Sequence, residues 1–435
     1  MPTVIAARRC DLASRTGLRK KRTDDEMLWL TMELWQWCSR PGGISDTNQP
    51  AGSKMNILNR GLAVFGLLLT VNLSLGIEAR QARETVRAIA PPARPLPSEE
   101  ASAAAQRFSF LVYGDTRGRN DGVDVQREHS LVVDSMLAAI QRLDKTEFPV
   151  KFILQSGDAV VDGRDPRQWN VSFVSLINRL TTEGGVPYFL APGNHDVTTA
   201  QDISAPDRQI GLRNYLDAMA HLIPPDNAPR RLRGYPTYAF GYGNTFVIAL
   251  DSNIAADASQ HGWVKSQLEG LDRSRYVNVI VLFHHPVFSS GPHGGARIEP
   301  PSASLRSLYM PLFRAHHVKI LFAGHDHLFE HWIERYVDGA GQHRMDLVVT
   351  GGGGAPIYTY QGEPDLTSYL RANESSQVQL VHLVTPGPQP EDNPYHFVIV
   401  RVDGNLLDLE VIGVDGGRSF QPYRTDRVEL QDSRN

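Results

Sequence analysis

Five short clusters along this 435-residue chain place a glycine or proline beside side chains able to hold a metal: Gly114-Asp115-Thr116-Arg117, Gly157-Asp158, Gly193-Asn194-His195-Asp196, His284-His285-Pro286 and Gly324-His325-Asp326-His327. Each follows an apolar run. Alone, each has an ordinary structural explanation: Gly-Asp and Gly-Asn make turns and cap helices, and His284 and His285 would be partly buried histidines with their hydrogen bonds satisfied. Together they resist it, because core packing asks for no polar ligands after so many separate strands. His325 and His327 stand two residues apart, so an extended backbone aims both imidazoles to one side. Both cysteines, Cys10 and Cys38, precede the clusters, leaving only nitrogen and oxygen donors for a metal.

Such donors suit hydrolysis of a phosphoester. The ester's negative charge repels hydroxide, and a pair of cations about 3.5–4 Å apart both neutralises that charge and lowers the pKa of a bound water. A carboxylate between them sets the spacing, and an imidazolium stabilises or protonates the departing oxygen.

The ordered set Gly-Asp, Gly-Asp, Gly-Asn-His-Asp, His-x-Pro and Gly-His-x-His closely resembles the calcineurin-like metallophosphoesterases, a superfamily that includes purple acid phosphatases and phosphodiesterases. The resemblance covers residues 105–415. It implies an α/β fold, a four-layer αββα sandwich of two mixed β-sheets flanked by helices, with the metal site at one end of the sheets. It also implies roles. Two divalent or trivalent ions (Fe, Mn or Zn) are expected, with Asp158 bridging, Asp115 and His327 on one, and Asn194, His284 and His325 on the other. Metal-bound hydroxide then attacks phosphorus in line, His195 assists the leaving group, and Asp196 fixes the orientation of His195. A non-catalytic binding module on the same fold is the alternative.

One position departs from the family. The first motif usually runs Asp-x-His, its histidine a ligand, whereas here Arg117 stands there and cannot coordinate a cation. Arg117 is expected either to clamp the substrate phosphate through its planar fork or to pair with a neighbouring carboxylate such as Asp121.

The elements that must position these groups follow an α/β alternation. Strands are predicted at Phe108 to Tyr113, Val150 to Gln155, Pro187 to Ala191, Thr245 to Leu250, Asn278 to Phe283, Lys319 to Ala323 and Asp346 to Thr350, with a late hairpin turning at Asp403-Gly404. Helices are predicted at Ser130 to Leu143, Gln168 to Leu180 and Trp263 to Leu271, from apolar spacings of three and four. Loops leaving the carboxyl ends of such strands converge on one rim. His285 belongs behind His284 rather than on the ion, and His316 and His317 fall at the opposite end of the strand that carries His325. His129 is expected at the surface. Gly351-Gly352-Gly353-Gly354 offers either N–H groups to an anion or a flexible turn, and the insert from Thr198 to Tyr238 either walls the pocket or packs on a sheet edge.

Outside the core segment, residues 1–54 are a doubtful N-terminal extension. Residues 55–79, with Lys54 and Arg60 beside the apolar stretch Leu62 to Leu75, have the pattern of a signal peptide, or of an anchor if uncleaved. Residues 80–104 form a Pro/Ala-rich linker, and 416–435 a tail. The stretch is short for a membrane span, so an exported protein with no stable span is expected. With 44 basic against 48 acidic residues, bulk nucleic-acid binding is disfavoured, and a small phosphorylated substrate is the expected partner.

Overall fold

The computed structural model describes residues 84–414 apart from 119–121, 199, 201 and 295–297, together with the backbone of strand Arg427–Leu430. The proposed extension and signal segment lie outside the described residues, as does most of the tail.

Among the described residues, thirteen strands form two mixed sheets. Those that position the site are β1 (Arg107–Tyr113), β2 (Val150–Gln155), β3 (Tyr188–Leu190), β4 (Tyr238–Tyr242), β5 (Thr245–Ala249), β6 (Asn278–Leu282), β7 (Ile320–Ala323), β8 (Phe329–Asp338) and β9 (Gly341–Thr350). β10 (Gln379–Val384), β11 (Tyr395–Asp403), β12 (Leu406–Val414) and β13 (Arg427–Leu430) complete them. One sheet runs β13-β12-β11-β1-β2-β3 and the other β10-β8-β9-β7-β6-β5-β4. β1, β2 and β3 are parallel, and so are β5, β6, β7 and β9.

The sandwich follows from strands whose two faces are both apolar, as parallel strands covered on both sides require. In β6, Ile280 and Leu282 enter the core between the sheets while Val279 and Val281 enter a second core under the outer helices. β7 divides likewise, Ile320 and Phe322 against Leu321 and Ala323. Phe110 of β1 meets Phe322 edge-on at 6.4 Å, locking sheet to sheet. Helix α1 (Arg127–Leu143) buries Val132, Val133, Met136, Ile140 and Leu143, a helical stripe that packs against β11 and β12 of the first sheet.

Several expectations change. The predicted helix from Gln168 is three pieces, Pro166–Gln168, a wider turn Trp169–Val174, and α2 (Ser175–Thr182). The hairpin turns on Gly404-Asn405, because Asp403 still pairs with Leu406 and Gly404 takes the left-handed φ of 62°. The proline-rich segment from residue 84 is no free spacer: Val86 and Ile89 are buried, Ile89 N donates to Ala218 O and Ala93 N to Thr181 O. Its extended backbone is what lets it lie along the domain as a strap. The insert after Thr198 packs on the sheet through α3 (Pro206–Ala218); Tyr215 OH donates to Leu190 O, and buried Arg208 pairs with Asp251.

Candidate metal centre

The carboxyl ends of β1, β2 and β3 carry Asp115, Asp158 and Asn194; those of β6 and β7 carry His284 and the His325/His327 pair. Residues 210 apart in sequence meet there: His325 N donates to both oxygens of Asp115 at 3.1 and 3.0 Å. Asp115, Asp158 and His325 all adopt left-handed backbone, with φ of 59°, 54° and 70°. Such conformations cost about 1–3 kcal/mol each and persist where surroundings over-determine them. Here glycines make the room. A Cβ on Gly193 would strike Asp158, one on Gly324 would strike the Asp115 carboxylate, and Gly157 (φ 106°) lies against Gly193 and His284.

Backbone carbonyls fix which imidazole nitrogen keeps its lone pair. His284 Nδ1 donates to Ser156 O at 2.9 Å, so Nε2 is bare; it faces Asn194 Oδ1 at 2.9 Å, His325 Nδ1 at 3.1 Å and Asp158 Oδ1 at 3.3 Å. His325 Nε2 donates to Glu299 Oε2 at 2.9 Å, which turns Nδ1 toward the same point. These four residues converge lone pairs with no proton to share, and a cation is what such a donor set fits. Burial holds His284 neutral, lowered to about 3. Burial alone would raise Asp158, but the Arg117 guanidinium beside it holds its carboxyl well below the carboxylate range, while burial and Asp158 push Asp115 well up.

The group expected around the other ion differs. His327 Nδ1 donates to Pro356 O at 2.7 Å and its ring stacks on Tyr358 at 4.1 Å, leaving Nε2 for Asp115 Oδ1 at 3.6 Å. Arg117 stands among these donors, its Nε donating to Asp158 Oδ2 at 3.1 Å and its Nη2 to His327 Nε2 at 3.4 Å. Its described carboxylate partner is thus Asp158, while Asp121 lies outside the described residues. A second ion does not fit these donors with the guanidinium in place.

His195 sits on the rim, 30 % exposed, with Nδ1 on Val161 O at 2.6 Å and Nε2 4.0 Å from Asp158 Oδ2. Asp196 does not orient it. Its carboxylate takes the N–H groups of Ala159 (2.9 Å), Val160 (3.3 Å) and Gly193 (2.8 Å), so it braces two ligand loops while Val161 steers the imidazole.

Other expectations resolve by packing. His285 is buried behind His284 with Nδ1 on Ser252 Oγ at 2.9 Å. His129 is buried, not exposed: it bonds Tyr113 OH at 3.2 Å and stacks on Phe173. The four-glycine run packs on the site loops. Gly353 N donates to Gly114 O at 2.8 Å, and side chains at Gly351 and Gly352 would collide with Asp326 O and with His396. No motif or spacing points to Glu299, which holds His325 and, at 2.9 Å, His293 Nδ1. It lies in a segment without periodicity, before Pro300-Pro301, and only its position marks it.

The family model for calcineurin-like phosphoesterases matches residues 108–329. The chain belongs to the calcineurin-like phosphoesterase family. It is 26 % identical over 265 residues to purple acid phosphatase 4 of Arabidopsis thaliana, covering 57 % of this chain and 68 % of that one. Over 146 residues it is 25 % identical to the Fe(3+)-Zn(2+) purple acid phosphatase 12 of the same plant, spanning 33 % of this chain and only 29 % of the relative. Among solved structures, purple acid phosphatase PPD1 from yellow lupin (Lupinus luteus) seeds aligns with a TM-score of 0.52 at 18 % identity, over 75 % of this chain and 54 % of that one. That likeness is one of fold.

Proposed function

We propose that this chain is a metal-dependent hydrolase of small phosphoesters. The observation that carries the proposal is the convergence of bare His284 Nε2, His325 Nδ1, Asn194 Oδ1 and Asp158 Oδ1 on one point at the rim of the sandwich. Asp158, Asn194, His284 and His325 would hold the ion, with Asp115 and His327 beside them; Fe, Mn and Zn all suit nitrogen and oxygen donors, and the Fe(3+)-Zn(2+) relative favours the first and last. A bound ion of this kind polarises the phosphoryl oxygens and supplies a nucleophile at neutral pH.

The chain's own residues do the rest. Arg117 offers its guanidinium to the phosphate oxygens. His195, steered by Val161 O and open to solvent, carries a proton on Nε2 for the departing oxygen. Asp196 holds the Gly157 and Gly193 loops at their spacing. The pattern at residues 55–79 supports export, tested by N-terminal sequencing of the mature protein.

The deciding assay is turnover by purified protein of a chromogenic phosphomonoester, a linear diester and a cyclic nucleotide, with Mn²⁺, Zn²⁺ or Fe added. Metal-dependent hydrolysis abolished by Asn194→Ala and cut by His195→Ala supports the proposal. Metal binding without turnover of any of the three leaves a binding module instead.

A further inference from the structure

The donors expected around the first of two ions already surround a cation. Arg117 leaves the same loop as Asp115, two residues on, and reaches both Asp158 Oδ2 (3.1 Å) and His327 Nε2 (3.4 Å). His327 has no other nitrogen to give, since Nδ1–H is committed to Pro356 O. The guanidinium is no swinging surface group: its side chain is 17 % exposed and its carboxylate partner 1 %. The two oxygens of Asp158 are therefore divided, Oδ1 toward His284 at 3.3 Å and Oδ2 toward Arg117.

A guanidinium has no lone pair and keeps its charge at any ordinary pH. An ion seeking Asp115, Asp158 Oδ2 and His327 must break two hydrogen bonds, one of them charge-assisted on both sides, and then sit beside a fixed positive charge. The neighbouring group of Asp158 Oδ1, Asn194, His284 and His325 has no such occupant. Among the described residues only lone pairs point into it from these four.

We propose that this chain is a one-metal member of its family, in which Arg117 takes the place of the second ion: a single cation binds between Asp158, Asn194, His284 and His325, and the guanidinium supplies the second positive charge facing the phosphate. The inference rests on the metal-dependent reading of this site. It also gives the Arg-for-His departure a physical meaning, because arginine replaces a coordinate bond by charge and a planar fork of donors.

Metal stoichiometry tests it. Purified protein is loaded with excess Mn²⁺, passed through gel filtration, and analysed by mass spectrometry for metal and by electron paramagnetic resonance. The wild type is expected to retain about one ion per chain with the spectrum of an isolated Mn²⁺, and Arg117→His, which restores the family's imidazole, about two with the spectrum of an exchange-coupled pair. Arg117→Ala, which vacates the position without adding a ligand, is measured alongside and is expected to take the second ion more weakly than Arg117→His. A coupled pair in the wild type overturns the inference and leaves the phosphoesterase reading standing. No ion in the wild type overturns both. One ion in wild type and in both variants overturns the role of Arg117.

Discussion

His195 and Asp158 are joined through the backbone of one and the side chain of the other: His195 N donates to Asp158 Oδ1 at 3.0 Å while the imidazole Nε2 stands off Oδ2 at 4.0 Å. The tie that braces the Asp158 carboxylate is main-chain and survives truncation of the side chain at 195 to alanine. The side chain is then free for chemistry. His195→Ala is expected to keep its full metal content while kcat falls about 10²–10⁴-fold, the worth of a general acid. The loss should shrink with a good leaving group such as nitrophenolate, and equal losses for good and poor leaving groups would remove His195 from the proton transfer.

Metal removal should cost stability as well as activity. Asp115 and Asp158 are buried side by side; burial raises the Asp115 pKa and the neighbouring Asp158 charge raises it further. Chelation is expected to lower the thermal midpoint, and restored metal to raise it in proportion to the logarithm of free metal concentration. The shift should vanish in His284→Ala. Calorimetry at graded metal concentrations reads both.

Gly157 carries two conformational requirements at once. With φ at 106° and a would-be Cβ against the Gly193 backbone and His284 Nδ1, Gly157→Ala is strained twice over. Destabilisation of about 1–3 kcal/mol is expected in urea unfolding. Gly262→Ala is the control, having nothing within 4 Å of its would-be Cβ and lying inside the helix Ala258–Glu269; it should be neutral or stabilising, since alanine is the better helix former.

Acid stability should reflect His129. Burial lowers its pKa to about 3 from an ordinary value of 6.5. Between those values the unfolded chain takes up a proton that the folded state refuses, so this histidine's contribution weakens as pH falls below 6.5, by about 1.4 kcal/mol per pH unit. In chelated protein, the stability difference between pH 7 and pH 5 should narrow in His129→Phe by about 2 kcal/mol. An unchanged difference would mean that His129 is already charged in the folded state.

The donors of the centre, their types, their order and their places after strands are set by local sequence. β-branched runs such as Asn278–Leu282 can only be buried strands, and a glycine beside an acid or histidine at the end of each marks where backbone must approach backbone. Tertiary packing decided what those donors do. The carbonyls of Ser156, Val161 and Pro356 choose the imidazole tautomers, Glu299 arrives from an aperiodic loop, and Arg117 lands on Asp158 and His327 rather than on a neighbour in sequence. The same holds for the proline-rich strap and for His129, whose burial depends on α1 closing over Tyr113. Periodicity reports which face of an element is apolar, and motif spacing reports which groups are available. Neither encodes the distance between carbonyls and side chains brought together across two sheets, which depends on how strands far apart in the chain stack.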